Sequence, residues 1–153
     1  CWSRSLNPGR RTPEGYPVLR LEELLQTADV VSLHTALTPE THHLTNAERL
    51  ALMKPDAVLV NTARGAVVDT VALAQALCED KLWGAGLDVF EQEPIPAGDP
   101  AWTAKNLLIT PHISGQMSLG YTRDRNVQLF CEDLERYGRG EKPLRLVDRR
   151  IGY

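Results

Sequence analysis

Leucines recur at helical spacing from residue 21, and a short valine-rich segment follows them. Leu21, Leu24, Leu25 and Ala28 stand at positions i, i+3, i+4 and i+7, which predicts an amphipathic helix. Residues 29–34, Asp-Val-Val-Ser-Leu-His, form a short β-branched segment and predict a buried strand. A helix followed by a strand is therefore expected near the amino end.

The alternation of helical and strand patterns continues along the chain. Short apolar segments at 57–60, within 82–89 and at 107–109 predict three further strands. Helical patterns separate these strands at short intervals, as in βαβ units. The predicted fold class is α/β, with a mostly parallel sheet and helices on its faces.

Three further helices are predicted from capping residues and apolar spacing. Residues 45–48, Thr-Asn-Ala-Glu, fit a capping box in which the Thr hydroxyl and the Glu carboxylate bond the first amides, and this helix should stop near Pro55. Asp69 is expected to cap a second helix. A long amphipathic helix is predicted around 127–134, with a glycine end at 138 or 140.

Composition narrows the class of protein. The net charge of −3 argues against binding of nucleic acid. Cys1, Cys78 and Cys131 are widely spaced and odd in number, which fits neither a disulfide framework nor a cysteine-rich zinc site. No apolar run approaches the roughly 20 residues of a membrane span. A cytoplasmic protein without nucleic-acid or membrane partners is expected.

An arginine, an acid and a histidine follow three successive predicted strands. Arg64 comes after the strand at 57–60, Glu93 after the next strand, and His112 after the last. Ligands bind outside the carboxyl ends of strands in open α/β sheets, so these side chains should converge in one crevice. From the residues alone, Glu91 is an equal candidate for the place of the acid.

Taken together, several motifs in one order resemble the D-2-hydroxyacid dehydrogenases, a family that includes glyoxylate and hydroxypyruvate reductases and phosphoglycerate dehydrogenase. The resemblance covers nearly the whole chain. It is carried by Ala28-Asp29-Val30-Val31-Ser32-Leu33-His34, Leu37-Thr38-Pro39-Glu40-Thr41, Met53-Lys54-Pro55, Asn61-Thr62-Ala63-Arg64-Gly65, Gly86-Leu87-Asp88-Val89-Phe90, Glu93-Pro94 and Thr110-Pro111-His112.

The resemblance implies a domain arrangement. Residues 1–140 would be an NAD(P)-binding domain with a Rossmann-type doubly wound sheet, truncated at the amino end and lacking its first strand and glycine-rich loop. Residues 141–153 would be a tail that returns to a missing substrate domain. The isolated chain is accordingly expected to be a poor enzyme, and the parent enzyme a homodimer.

The resemblance also implies catalytic roles. Arg64 would bind the carboxylate and carbonyl oxygen of a small 2-keto acid, and its planar guanidinium suits a carboxylate. His112 would be the acid–base group, with Glu93, rather than Glu91, as its partner. A carboxylate bonded to an imidazole fixes its tautomer and favours its protonated form. The predicted reaction is hydride transfer between NAD(P)H and a 2-keto acid or D-2-hydroxy acid.

The segment Ser3-Arg4-Ser5 is predicted to bind the cofactor ribose. NAD enzymes usually carry an acid at the end of the second strand, whereas NADP enzymes accommodate a phosphate with an arginine. This segment has no acid. NADP is therefore favoured over NAD, although the Arg4 stem could simply cover the adenine in either case.

Four further residues resemble family positions beside the cofactor. Thr62 and Ala63 match the turn against the nicotinamide ring, and Asp88 matches a residue near its carboxamide. His34 matches another position beside the cofactor. From the residues alone, Asp88 could equally cap a turn, and His34 could be an ordinary core or loop histidine.

No metal site is predicted. His42 and His43 are adjacent and cannot share a helix face as ligands, so both are expected to be solvated. A zinc signature is absent from the sequence.

The sequence motifs leave two other functions open. A corepressor-like protein that senses dinucleotides resembles the same family. Phosphite and formate dehydrogenases also share much of the motif set, although the formate enzymes pair the histidine with Gln where Glu93 stands here.

Overall fold

The computed structural model describes residues 1–115, 119–147 and 150. It divides into two compact units, Cys1–His112 and Ile113–Tyr153. The sheet belongs to the first unit and the long helix to the second. The predicted boundary at residue 140, between the NAD(P)-binding domain and the tail, stays a prediction.

A four-stranded parallel sheet forms the centre of the first unit. The strands lie side by side in chain order, and the register pairs Val30 with Val58, Val58 with Gly84, and Ala85 with Leu107. This arrangement confirms the predicted α/β class with a parallel sheet. The strands are β1 (Val30–Leu33), β2 (Val58–Asn61), β3 (Gly84–Leu87) and β4 (Leu107–Ile109).

The core packs against one face of β1 and against the central strands. Val31 and Leu33 are buried, whereas Val30 and Ser32 on the opposite face are exposed. β1 is therefore half-buried rather than buried on both faces, as its valines had suggested. Leucines of the central strands and of the neighbouring helices complete this core. The largest fully buried ones are Leu59 and Leu87 in the strands, and Leu25, Leu50, Leu73 and Leu77 in the helices.

The described residues form four helices, and their caps show which of the predicted capping residues are correct. Asp69 caps the third helix as predicted, because its carboxylate accepts the Ala72 N–H at 2.9 Å. The helices are α1 (Leu21–Thr27), α2 (Ala47–Leu50), α3 (Thr70–Cys78) and α4 (Gly120–Gly138). Short 3-10 turns lie at Gly65–Val67 and Pro100–Trp102.

The predicted capping box of α2 is wrong. Asn46 is the N-cap, and its side chain accepts the Arg49 N–H at 3.0 Å. Thr45 instead forms a parallel bridge with Val68, and this tertiary contact uses the residue that the sequence pattern assigned to the cap. The helix ends at Leu50, earlier than the expected stop near Pro55.

The long helix α4 has the predicted amphipathic pattern but buries no residue. It ends at Gly138, and Gly140 follows with a φ of 75° that favours glycine. None of the helices in the described parts of the chain is long and apolar enough to cross a membrane.

Gly65 joins the turn after β2 to the segment after β3. A Cβ built on Gly65 would lie 1.9 Å from the carbonyl carbon of Phe90 and 2.4 Å from the amide nitrogen of Glu91. Both atoms are backbone, so no side-chain rotation could relieve the overlap. The two segments therefore pack backbone against backbone, and only glycine permits it.

Replacing Gly65 with Ala should destabilise the fold by about 1–3 kcal/mol or more, the usual cost of overpacking a closely packed site. Gly86→Ala is the matched control, because a Cβ on Gly86 meets nothing within 4 Å. Urea unfolding of both variants measures the effect. A Gly65→Ala protein with the wild-type midpoint would show that the backbone contact is not tight.

Candidate active site

The ends of β3 and β4 bring Glu93 and His112 together as predicted. Glu93 lies in the segment after β3, and His112 follows β4. The Nδ1 atom of His112 lies 2.6 Å from the Oε2 atom of Glu93. Both side chains are partly open to solvent, with 51% of His112 and 35% of Glu93 exposed. The pair is therefore accessible from solvent.

The Glu93 carboxylate is held from two sides. Its Oε1 atom accepts the backbone N–H of Phe90 at 2.8 Å, while Oε2 contacts His112. The hydrogen bond to His112 lowers the pKa of Glu93 from its ordinary value, and the Phe90 N–H lowers it further. Glu93 is therefore an anion beside the imidazole at neutral pH.

Glu91, the rival acid, contacts a different histidine. Its Oε1 atom lies 2.5 Å from Nε2 of His43. The structure thus separates the two acids, with Glu93 beside His112 and Glu91 beside His43. The expectation that His42 and His43 are both simply solvated is wrong for His43, which is half-buried and paired.

Arg64 is exposed in the turn after β2. Its Nη1 atom donates a hydrogen bond to the carbonyl of Ala63 at 2.6 Å. Among the described contacts, none joins its guanidinium to Glu93 or His112. Gly65 nevertheless packs against the backbone of Phe90 and Glu91. The turn that carries Arg64 is therefore joined to the segment that carries Glu93.

Asn61 fixes this turn, a role that the sequence pattern did not predict. The residue is fully buried at the end of β2. Its side-chain amide donates to the Arg64 carbonyl at 2.9 Å, and its side-chain oxygen accepts the Ala63 N–H at 3.0 Å. A polar residue that ends an apolar strand was the signal for this role. Thr62, between these groups, is exposed.

Asp88 is a buried acid at the end of β3, 4% exposed. Its carboxylate accepts the hydroxyl of Thr110 at 2.5 Å, and its backbone N–H donates to the Asn61 carbonyl at 3.0 Å. These bonds connect the ends of β2, β3 and β4. Thr110 is a second residue whose role the sequence pattern did not predict.

Two polar groups lie at the end of β1. The Nε2 atom of His34, which is exposed, lies 2.8 Å from the Ser32 hydroxyl. Thr35 follows, and its hydroxyl is the one buried side-chain nitrogen or oxygen without a hydrogen-bond partner among the described residues. An orphaned hydroxyl costs free energy unless a partner reaches it.

The amino-terminal segment carries the predicted ribose-binding residues. The hydroxyls of Ser3 and Ser5 lie 3.2 Å apart, and Arg4 forms an ion pair with Glu40 at 3.3 Å. Thr38 donates its hydroxyl to the same Glu40 oxygen at 2.7 Å. This hydrogen bond is the main reason that the pKa of Glu40 is lowered. Glu40 therefore places a carboxylate beside the segment Ser3-Arg4-Ser5, which has no acid of its own.

Arg4 and Glu40 line an open cavity of about 560 Å³. Arg20 and Arg49 also line it, together with Glu22. Three guanidinium groups against two carboxylates make the charge of these lining residues net positive. Anionic ligands are favoured at such a surface.

Comparison with known proteins identifies the family. The sequence model for the NAD-binding domain of the D-isomer specific 2-hydroxyacid dehydrogenases matches residues 1–114. The glyoxylate reductase of Korarchaeum cryptofilum is 46% identical over 137 residues, which cover 90% of this chain and 41% of that protein. The chain spans about two fifths of the length of the curated relatives it matches.

Solved structures agree with this relationship. A D-isomer specific 2-hydroxyacid dehydrogenase from Xanthobacter autotrophicus Py2, in complex with NADPH and MES, is 38% identical with a TM-score of 0.84 and is matched over 99% of this chain and 61% of its own. The NAD-complexed enzyme from Lactobacillus delbrueckii ssp. bulgaricus is 28% identical with a TM-score of 0.77, over 96% of this chain and 47% of its own. The chain therefore belongs to the D-isomer specific 2-hydroxyacid dehydrogenases.

Proposed function

We propose that this chain is the cofactor-binding part of an enzyme that transfers a hydride between NAD(P)H and a small 2-keto acid. The observation that carries the proposal is the contact of 2.6 Å between His112 and Glu93, at the edge of the sheet where Arg64 also lies. The similarity of this chain to glyoxylate reductases favours glyoxylate as the first substrate to test.

The residues of the chain suit a nicotinamide dinucleotide. Ser3, Arg4 and Ser5 offer hydroxyl and guanidinium donors to the ribose and its phosphate. The turn of Thr62 and Ala63 follows β2, and the unpartnered hydroxyl of Thr35 follows β1 at the same edge of the sheet. His34 and Asp88 also end strands at this edge. When bound, the reduced nicotinamide supplies the hydride to the keto carbon.

His112 is the proton donor in this proposal. Because Nδ1 contacts Glu93, Nε2 is the atom that gives a proton to the ketone oxygen as that oxygen gains negative charge. The Glu93 carboxylate orients the ring and stabilises the protonated imidazole. In the reverse direction, the neutral ring accepts the hydroxyl proton.

Arg64 binds the substrate carboxylate. A guanidinium offers two parallel N–H donors to a carboxylate and carries a permanent positive charge. The bonds from Asn61 fix the backbone on either side of the arginine, so its side chain starts from an ordered turn. Holding the carboxylate there fixes the position of the neighbouring carbonyl.

NADP is the proposed cofactor, with Arg4 as the reader of its 2'-phosphate. The positive cavity beside Arg4 supports this preference. Related structures bind NADPH in one case and NAD in another, so the family alone does not decide. Glu40 would weaken binding of the 2'-phosphate. Its carboxylate already pairs with Arg4 and would repel the negatively charged phosphate.

The remaining parts of the proposal concern the whole protein. The coverage of relatives supports a longer polypeptide that includes a substrate domain. All three cysteines are exposed and free, which suits the reducing cytoplasm. Homodimer formation is proposed from the family resemblance and stays a prediction.

Replacing His112 with Gln in the full-length enzyme should lower the turnover number for glyoxylate reduction by ~10²- to 10⁴-fold, the usual contribution of a positioned acid or base. Replacing Glu93 with Gln should also lower the turnover number, because the neutral amide no longer orients the imidazole as the carboxylate does. Steady-state kinetics measure both effects. Near-normal turnover in either variant would contradict the assignment.

Unfolding of the same Glu93→Gln variant provides a check that is independent of catalysis. The folded-state pKa of Glu93 is lowered below its ordinary value of 4.5. Its contribution to stability is therefore present above that value and is lost as pH falls through the folded-state pKa. The variant should be less stable than wild type at neutral pH, and the difference should shrink on acidification.

Arg64→Lys should raise the KM for glyoxylate by about 10- to 100-fold, corresponding to one lost charged hydrogen bond of about 1.5–3 kcal/mol. The ammonium group keeps the charge but cannot reproduce the bidentate fork. The KM for the cofactor is the internal control and should stay close to wild type. An unchanged KM for glyoxylate would remove Arg64 from the substrate site.

Arg4→Ala should lower the ratio of kcat/KM for NADPH to that for NADH by about tenfold or more, the value of one charged hydrogen bond. Glu40→Gln should raise the same ratio, because it releases Arg4 and removes a repelling charge. Arg10→Ala, at another exposed arginine, is the control. Equal ratios in all these enzymes would exclude Arg4 as the phosphate reader.

A further inference from the structure

His42, His43 and Glu91 form a cluster outside the proposed catalytic pair. One potential ligand atom from each side chain lies within 4.8 Å of the other two. The imidazole rings are stacked, with centroids 4.1 Å apart and planes inclined by 27°. The Glu91 carboxylate completes the cluster through its contact of 2.5 Å with His43. The proposed hydride transfer and the proposed substrate binding do not use these groups.

The backbone holds both histidines on the same side of their turn. His42 donates its N–H to the Thr38 carbonyl at 2.9 Å, and His43 donates its N–H to the Ala66 carbonyl at 2.8 Å. His43 has a φ of 49°, in the left-handed region that residues other than glycine rarely adopt. This conformation brings two adjacent rings together, which a helix or a strand would not do.

Glu91 is also held by its backbone. It follows Phe90, which is 7% exposed and whose N–H bonds Glu93. The backbone of Gly65 packs against the Phe90–Glu91 peptide and restrains this segment. Because His43 bonds Ala66, the residue after Gly65, both sides of the cluster are attached to one short segment of chain.

We propose that His42, His43 and Glu91 bind a divalent first-row transition metal ion, with zinc as the ion to test. Two imidazoles and a carboxylate form a typical three-ligand set for zinc, and a fourth position can hold water. Ligand atoms bonded at about 2.0–2.2 Å to one tetrahedral ion lie roughly 3.3 Å apart. The two rings are stacked, so the histidine side chains would rotate out of the stack to point their lone pairs at one ion. The ion would then replace the proton between His43 and Glu91.

Such an ion would connect the turn that carries the histidines to the segment after β3. That segment also bears Glu93, two residues beyond Glu91. A bound ion would therefore restrain the loop that positions Glu93 beside His112, the proposed proton donor. The metal site itself does not depend on the proposed hydride transfer. It would exist even if the catalytic assignment were wrong.

Zinc binding to the 153-residue chain tests the proposal. Cys1, Cys78 and Cys131 are exposed and would bind zinc themselves, so all three are replaced with Ser and no histidine tag is used. Isothermal titration with Zn²⁺ alone should show one equivalent bound. His42→Ala and Glu91→Gln should each weaken binding by at least about tenfold, since even residues that only support metal ligands contribute that much.

His34→Ala is the matched control. It removes another exposed histidine from the same unit and should leave zinc affinity unchanged. Thermal unfolding gives a second readout. Zn²⁺ should raise the Tm of the cysteine-free chain and of its His34→Ala variant, and this rise should be lost in the Glu91→Gln variant. Absence of zinc binding to the cysteine-free chain, or equal zinc affinity in all variants, would overturn the proposal.

Discussion

The backbone contact between Gly65 and the Phe90–Glu91 peptide is the constraint on which the site depends. A methyl group at this position would overlap the Phe90 carbonyl carbon at 1.9 Å. The contact brings the turn after β2 against the segment after β3 with no side chain between them. Arg64 lies directly before this contact, and Ala66 directly after it receives the bond from His43.

The parallel sheet supplies the rest of the arrangement. Because all four strands run in one direction, their carboxyl ends share one edge. Polar groups then join these ends: Asn61 at β2 and Asp88 at β3 are buried, and Thr110 at β4 is half-buried. A buried polar group must be paired to avoid a desolvation cost, so each of these bonds restrains the strand end that carries it.

The sequence predicted the parts of the fold that depend on local pattern. The four strands, the Asp69 cap and the end of α4 all follow from residues close together in the chain. The pairing of His112 with Glu93 also followed, but the choice of Glu93 over Glu91 needed the family resemblance. Spacing alone could not separate two acids that lie in the same loop.

Contacts between distant residues account for the wrong cap and for an ion pair that no sequence pattern predicted. Thr45 and Asn46 can both cap a helix, and the bridge from Thr45 to Val68 decided between them. The ion pair of Arg4 with Glu40 spans 36 residues. No local pattern reports such a contact, although it changes the charge that a cofactor phosphate would meet.

The loop after β3 shows how one short segment can serve two purposes. Glu91 and Glu93 lie two residues apart, yet their carboxylates contact different histidines. Phe90 anchors the loop in the core, and its N–H bonds Glu93 rather than Glu91. Glu93 therefore has a fixed backbone donor as well as a histidine, whereas the described hydrogen bonds of the Glu91 side chain include only the one to His43. A carboxylate with a single such partner can exchange it for an ion, while the doubly held one stays in place to orient the imidazole.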